Sequence, residues 1–278
     1  MKPLLALLFL ILAASAQAAC TPVASWTLEP DWYGGPTVAV KLGGKDLSLL
    51  VDTGGVRSML TGSAVADLKL QPQPIRGERV TLYGGLEVTK WVAVADAVLP
   101  PSFYVMPDTR VPYALSGTLA PDFLSRYDVG FDFAAARLAL FEPGQCPATR
   151  GAAMTQDASH HLIVTIDLDG RKIPAMLDTG ASRSDFSLET ARQLFGAGLQ
   201  ETPAKRADCE RGVAVHTFRE LTIGGVHLDA PDIVLVPDRI GGRPPGSPRL
   251  VLGMNILRRL HLTVLYSRDQ IIVAPAEP

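Results

Sequence analysis

The sequence is poor in the residues that build metal and nucleic-acid sites. It has only 3 cysteines in 278 residues, no two of them at metal-ligand spacing, and its 5 histidines (His160, His161, His216, His227, His261) form no ligand motif. A Cys/His metal centre is therefore not expected, and neither is any other cofactor. Gly-x-Ser-x-Gly is also missing, which removes the nucleophile elbow of serine hydrolases. Neither sign of charge prevails: 26 Lys and Arg stand against 28 Asp and Glu, a net charge of −2. Without a basic stripe interleaved with aromatics, nucleic acid is not an expected partner. The longest apolar run, Leu4 to Ala14, is too short to span a bilayer, so stable membrane insertion is not expected.

What is present is punctuation and alternation. Hydrophobic residues make up 47% of the chain, with 25 Gly and 22 Pro between short period-two segments, so it reads as mainly β with helix a minor element. One short motif occurs twice. Val51-Asp52-Thr53-Gly54-Gly55 and Leu177-Asp178-Thr179-Gly180-Ala181 place their aspartates 126 residues apart (178 − 52).

The repeat extends on both sides. Upstream of each motif lie two alternating strands around a glycine turn: Thr37 to Leu42 and Leu47 to Val51 about Gly43-Gly44, then Leu162 to Leu168 and Ile173 to Leu177 about Asp169-Gly170. Downstream, Arg57-Ser58 matches Arg183-Ser184, and a short helix follows in each half. Ser187 is placed to cap the second helix and Gly196 to end it. Each half closes alike, with Gly117 to Leu124 mirrored by Arg249 to Leu257. A lone Asp-Thr-Gly is usually a turn. Two in matching settings can face one another and share a proton, becoming acid and base together.

A hydrophobic-hydrophobic-Asp-Thr-Gly motif, paired later in each half with a hydrophobic segment and Asp/Asn-Phe/Ile-Leu, resembles the aspartic proteases, and lobes this short resemble the retropepsin type. The resemblance implies two similar closed β-barrel-like lobes related by a pseudo-twofold axis. These are an N-terminal lobe at 19–148 and a C-terminal lobe at 149–278, behind a signal peptide at 1–18. It maps the catalytic pair onto Asp52 and Asp178. Thr53 and Thr179 would interlock beneath the pair, and Gly54 and Gly180 would let backbone approach the carboxylates. A flap would carry Tyr83 beside Gly84-Gly85, with a second-lobe counterpart near Asp208 to Val213. The partner would be a peptide or protein substrate. Retroviral members need two chains for one site, whereas both motifs lie in this chain, so a monomer could suffice. The alternative is a non-catalytic peptide-binding or scaffold protein that retains the fold.

The halves depart from one another in places. Where the second half has Gly253, the first has Ala120 beside Pro121, so its loop must accept a Cβ and a fixed proline φ. Pepsin-like members carry Ser or Thr directly after the motif glycine. Gly55 and Ala181 offer no such hydroxyl, so the pair is expected to ionise higher and work from mildly acidic to near-neutral pH. Asp122 and Asn255 read as caps of short helices.

Met1-Lys2-Pro3, the apolar run and Ala16-Gln17-Ala18 have the parts of a secretory signal cleaved after Ala18, implying a secreted or periplasmic protein. Lipid anchoring at Cys20 is the lesser reading, because Gln17 stands where a lipidation signal expects an aliphatic residue. In an oxidising compartment Cys20 could pair with Cys146, or Cys146 with Cys209, or all three could stay reduced.

Overall fold

A computed structural model describes residues 20–31, 33–77, 80–81, 87–108, 115–146, 151–203, 212–241 and 246–276. The chain is mainly β, and each half is organised around the hairpin that delivers its Asp-Thr-Gly motif. Strands Pro36–Leu42 and Lys45–Val51 pair antiparallel, as do Leu162–Leu168 and Arg171–Leu177. Both hairpins turn on two residues with left-handed backbone: Gly43 and Gly44 (φ 55° and 78°), then Asp169 and Gly170 (φ 48° and 80°). That conformation matches the twist of the flanking strands. Alternate side chains such as Val38, Val40, Leu47 and Leu49 then point into the core.

A later strand fixes the loop after each hairpin. Gly117–Leu119 runs parallel to the first hairpin (Leu119 opposite Val51) and antiparallel to Met59–Thr61 (Gly117 opposite Leu60). In the second half Leu250–Leu252 runs parallel to Arg171–Leu177 (Leu252 opposite Leu177) and antiparallel to Asp185–Ser187 (Leu250 opposite Phe186). A short strand held on both edges leaves its neighbouring loop little freedom, because its backbone groups are already paired.

Helices Gly62–Asp67 and Leu188–Phe195 follow, capped by Thr61 and Ser187. Their side-chain oxygens accept from Ala64 N at 3.2 Å and Thr190 N at 3.1 Å. The second helix stops at Gly196, where φ is 55°. The one-turn helices Pro121–Leu124 and Met254–Leu257 are capped by Ala120 and Gly253. Asp122 and Asn255 therefore lie inside the first turn and are not caps. Their side chains are drawn instead to serines across the loop.

The two halves share a six-stranded antiparallel sheet in the order Ala24–Pro30, Arg137–Phe141, Asp128–Asp132, Leu260–Leu265, Gln270–Pro275, Ala152–Gln156. Its central pair joins the halves, with Val129 opposite Val264 and Phe131 opposite Leu262. Corresponding strands lie outward in the same order on each side, the arrangement of a pseudo-twofold axis. One buried apolar cluster runs through both halves and includes Leu49, Phe123, Phe131, Phe186, Leu250 and Leu262. Of the alternatives left open for the cysteines, the structure forms Cys20–Cys146, joining the segment before the first strand to the end of the first half. Cys209 lies outside the described residues.

Candidate active site

The motif loops meet back to back across the axis, and their threonines cross. Thr53 Oγ1 donates to Leu177 O at 2.8 Å, and Thr179 Oγ1 donates to Val51 O at 2.5 Å. In return Thr53 N donates to Thr179 Oγ1 at 3.1 Å, and Thr179 N to Thr53 Oγ1 at 3.0 Å. Both threonines are 1% exposed, so each bond is made without competition from water. At about 1 kcal/mol net per bond, the four bonds contribute appreciably to locking the loops together. Only a hydroxyl, donor and acceptor at once, can close this ring.

The motif glycines are required by close approach. A Cβ on Gly54 would overlap the carboxyl group of Asp178, and one on Gly180 would overlap that of Asp52. Each lobe thus makes room for the other's carboxylate. The two carboxyl groups hydrogen-bond one another and are half-buried.

The environments of the two acids differ. Burial, the neighbouring Asp178 charge and the hydrogen bond to Asp178 push Asp52 well above the usual carboxylate range; Gly54 N, at 3.1 Å, and the Gly55 amide oppose this only in part. Burial raises Asp178 too. There, however, Gly180 N at 2.8 Å and Ala181 N at 3.1 Å favour the ionised form, and so do the bond from Asp52 and the charge of His161. A pair this close holds one proton between them. Chemically the pair can polarise a carbonyl with one oxygen and deprotonate a water with another.

A second ring of bonds holds each loop from behind. Ser58 donates through N (2.9 Å) and Oγ (2.7 Å) to Asp122 Oδ1, while its Oγ accepts from Ala120 N at 3.0 Å. Ser184 does the same with Asn255 Oδ1 (2.6 and 2.8 Å) and Gly253 N (2.9 Å). The Cβ of Ala120 costs nothing here: φ −111° and ψ 175° are extended backbone, and Pro121 takes the first helical position, which needs no N–H. Gly55 supplies space on two sides, since a Cβ on it would lie 2.9 Å from the Asp52 carboxyl and 3.2 Å from the Cβ of Ala120.

Two residues that motif reading passed over also reach the site. Asp157 and His161 form a turn before the strand Leu162–Leu168. His161 Nδ1 lies 2.7 Å from Asp157 Oδ2, and its Nε2 lies 3.2 Å from Gly55 O in the other lobe. The sequence signal was there: Asp31 and Gly35 precede the first hairpin at the same 126-residue offset (157 − 31 and 161 − 35). Asp31 Oδ1 accepts from Tyr33 N and Gly35 N, just as Asp157 Oδ1 accepts from Ser159 N and His161 N.

Of the expected flap, strands Val80–Thr81 and Glu87–Val88 pair, with Val80 and Val88 buried beside Met59 and Met106. Residues 82–86, with Tyr83, Gly84 and Gly85, lie outside the described residues, as does most of the second-lobe counterpart.

The fold and this paired-carboxylate site define an acid-protease architecture held in one chain. The aspartyl protease family model matches residues 164–256, which cover the second motif and its closing segment. Basic 7S globulin from soybean aligns over 91% of this chain and 94% of its own, at 9% identity and a TM-score of 0.55, and so shares the two-lobed fold. A retropepsin-like aspartic protease from Rickettsia conorii aligns over 44% of this chain and 89% of its own, at 21% identity and a TM-score of 0.32. No curated protein sequence matches the chain. Among the described residues no helix is long and apolar enough to cross a membrane.

Proposed function

We propose that this chain is a secreted or periplasmic aspartic endopeptidase that hydrolyses extended polypeptides with a single dyad, Asp52 and Asp178. The observation that carries the reading is the half-buried, proton-sharing carboxyl pair, each member lodged against the other lobe's glycine. Asp178, ionised, takes a proton from water as its oxygen attacks the scissile carbonyl carbon, while Asp52 gives its proton to the carbonyl oxygen. When the tetrahedral gem-diol collapses, one of its hydroxyls returns a proton to Asp52 as the carbonyl re-forms, the C–N bond breaks, and Asp178 passes its proton to the leaving nitrogen. One proton remains on the pair, as at the start. Thr53, Thr179, Gly54 and Gly180 hold the carboxyls in register. Tyr83, Gly84 and Gly85 are assigned to a flap over the substrate, and one chain suffices as a monomer.

Export is supported by the secretory signal at 1–18 and by the Cys20–Cys146 disulfide, which suits an oxidising compartment. A disulfide at Cys20 also leaves no thiol for a lipid thioether.

The test is cleavage of an unbiased peptide library from pH 3 to 8 by the wild-type chain and by folded Asp52→Asn and Asp178→Asn variants. Either substitution is expected to reduce turnover by a factor of about 1,000 or more. A folded wild-type chain that cleaves nothing at any pH would overturn the reading in favour of a peptide-binding protein.

A further inference from the structure

The backbone of the first-lobe loop has an unmet need that the second lobe fulfils. In the second lobe Met254 N donates to Ala181 O at 2.8 Å, which ties the loop to its closing helix. The equivalent first-lobe residue is Pro121, which has no N–H, so Gly55 O receives nothing from its own helix. His161 Nε2 reaches that carbonyl instead, from 106 residues away. The other nitrogen of the same ring faces a carboxylate oxygen of Asp157. Carbonyl and carboxylate oxygens only accept, so both contacts are hydrogen bonds at once only when the ring carries both protons. Its side chain is 14% exposed, so water is a poor substitute for either partner.

The pseudo-symmetric position handles its contact differently. Gly35 has no side chain to send across the axis, and Arg258, in the closing segment of the second lobe, donates to Gly34 O at 3.4 Å while its Nε holds Met254 O at 2.8 Å. One inter-lobe contact is therefore made by a guanidinium, and the other by an imidazole.

We propose that His161, oriented by Asp157, is a positioning residue of the dyad: it clasps the first-lobe loop at Gly55 from across the lobe interface. The groups facing the ring are Asp157 from its own turn and the Asp178–Asp52 pair from the catalytic loops. His160, next to it, is turned to Gln156 Oε1 at 3.1 Å. The charge of His161 lowers the proton affinity of Asp178.

The kinetic role rests on the peptidase reading, so its test has two arms. In the first, pH–rate profiles are compared for wild type, His161→Gln, which retains an N–H donor without charge, and His161→Ala. Both variants are expected to move the acid limb of kcat upward by about 1 pH unit, and His161→Ala to lower kcat about tenfold at nearly constant KM. An acid limb that coincides with wild type in both variants would overturn the proposal. In the second arm, the 13C shift of the Gly55 carbonyl is followed by NMR across the same pH range. It is expected to lie downfield in wild type and to move upfield in His161→Ala, where the imidazole bond is gone; coincident shifts in the two proteins would overturn the clasp. This arm needs no turnover, so an inactive chain would defeat the peptidase reading alone.

Discussion

Around the second-lobe carboxylate the chain completes its own hydrogen bonding, whereas around the first it borrows. Ala181 O is held by Met254 N, and Asp178 accepts from two backbone amides. Gly55 O, facing Pro121, is held by a histidine of the opposite lobe. The small residues are exchanged as well. The first lobe pairs Gly55 with Ala120, and the second pairs Ala181 with Gly253, where a Cβ would come within 2.6 Å of Arg183 backbone. A duplicated fold has thus kept its geometry while redistributing the residues that satisfy it.

The sharpest way to break the comparison is to remove what both lobes share. Gly54→Ala and Gly180→Ala each push a methyl into the opposite carboxyl, and each is expected to lower turnover by more than about 100-fold, read as kcat on the library-derived peptide. Next is what only the first lobe has among the described residues. Cys146→Ser opens the disulfide and is expected to cost about 3 kcal/mol in chemical denaturation. Substitutions at the exchanged residues follow. Gly253→Ala, blocked by backbone, is expected to cost about 2 kcal/mol, and Ala120→Gly under about 1 kcal/mol, both by urea titration. Equal costs would remove the distinction between the loops.

The smallest effect comes from giving the first lobe the second lobe's amide. Burial raises Asp122 above its ordinary value despite the bonds from Ser58 and the nearby Arg57. A carboxyl whose folded pKa is raised contributes stability below its unfolded pKa and loses it as pH rises through the folded value. Asp122→Asn is therefore expected to melt about 1–2 °C higher than wild type at pH 7, with the gap closing near pH 3. A gap that widens in acid would contradict the sign.

What the sequence made legible is local and repeated. Alternation around Gly43-Gly44 and Asp169-Gly170 marked the hairpins, and Ser187 with Gly196 bounded a helix, because turn and cap chemistry act within a few residues. The meeting of the Asp-Thr-Gly loops was legible only as a duplication, through family resemblance. Asp122 and Asn255 were misread as caps, since a polar residue at a helix start looks alike whether it accepts from its own turn or from a serine some 64 to 71 residues away. His161 escaped notice for a related reason. Its partner is a backbone carbonyl in the other lobe, and the need arises from a proline whose missing N–H matters only once the loop is folded.

The central claim is that the two lobes pool their carboxyls into one proton-sharing site. Carboxyl 13C NMR of Asp52, titrated in the wild type and in Asp178→Asn, tests it most directly. Asp52 is expected to keep its proton well above the ordinary carboxylate range in the wild type, and to release it at lower pH once the Asp178 charge and hydrogen bond are gone. Ionisation of Asp52 at an ordinary carboxylate pH, unchanged by Asp178→Asn, would contradict the account.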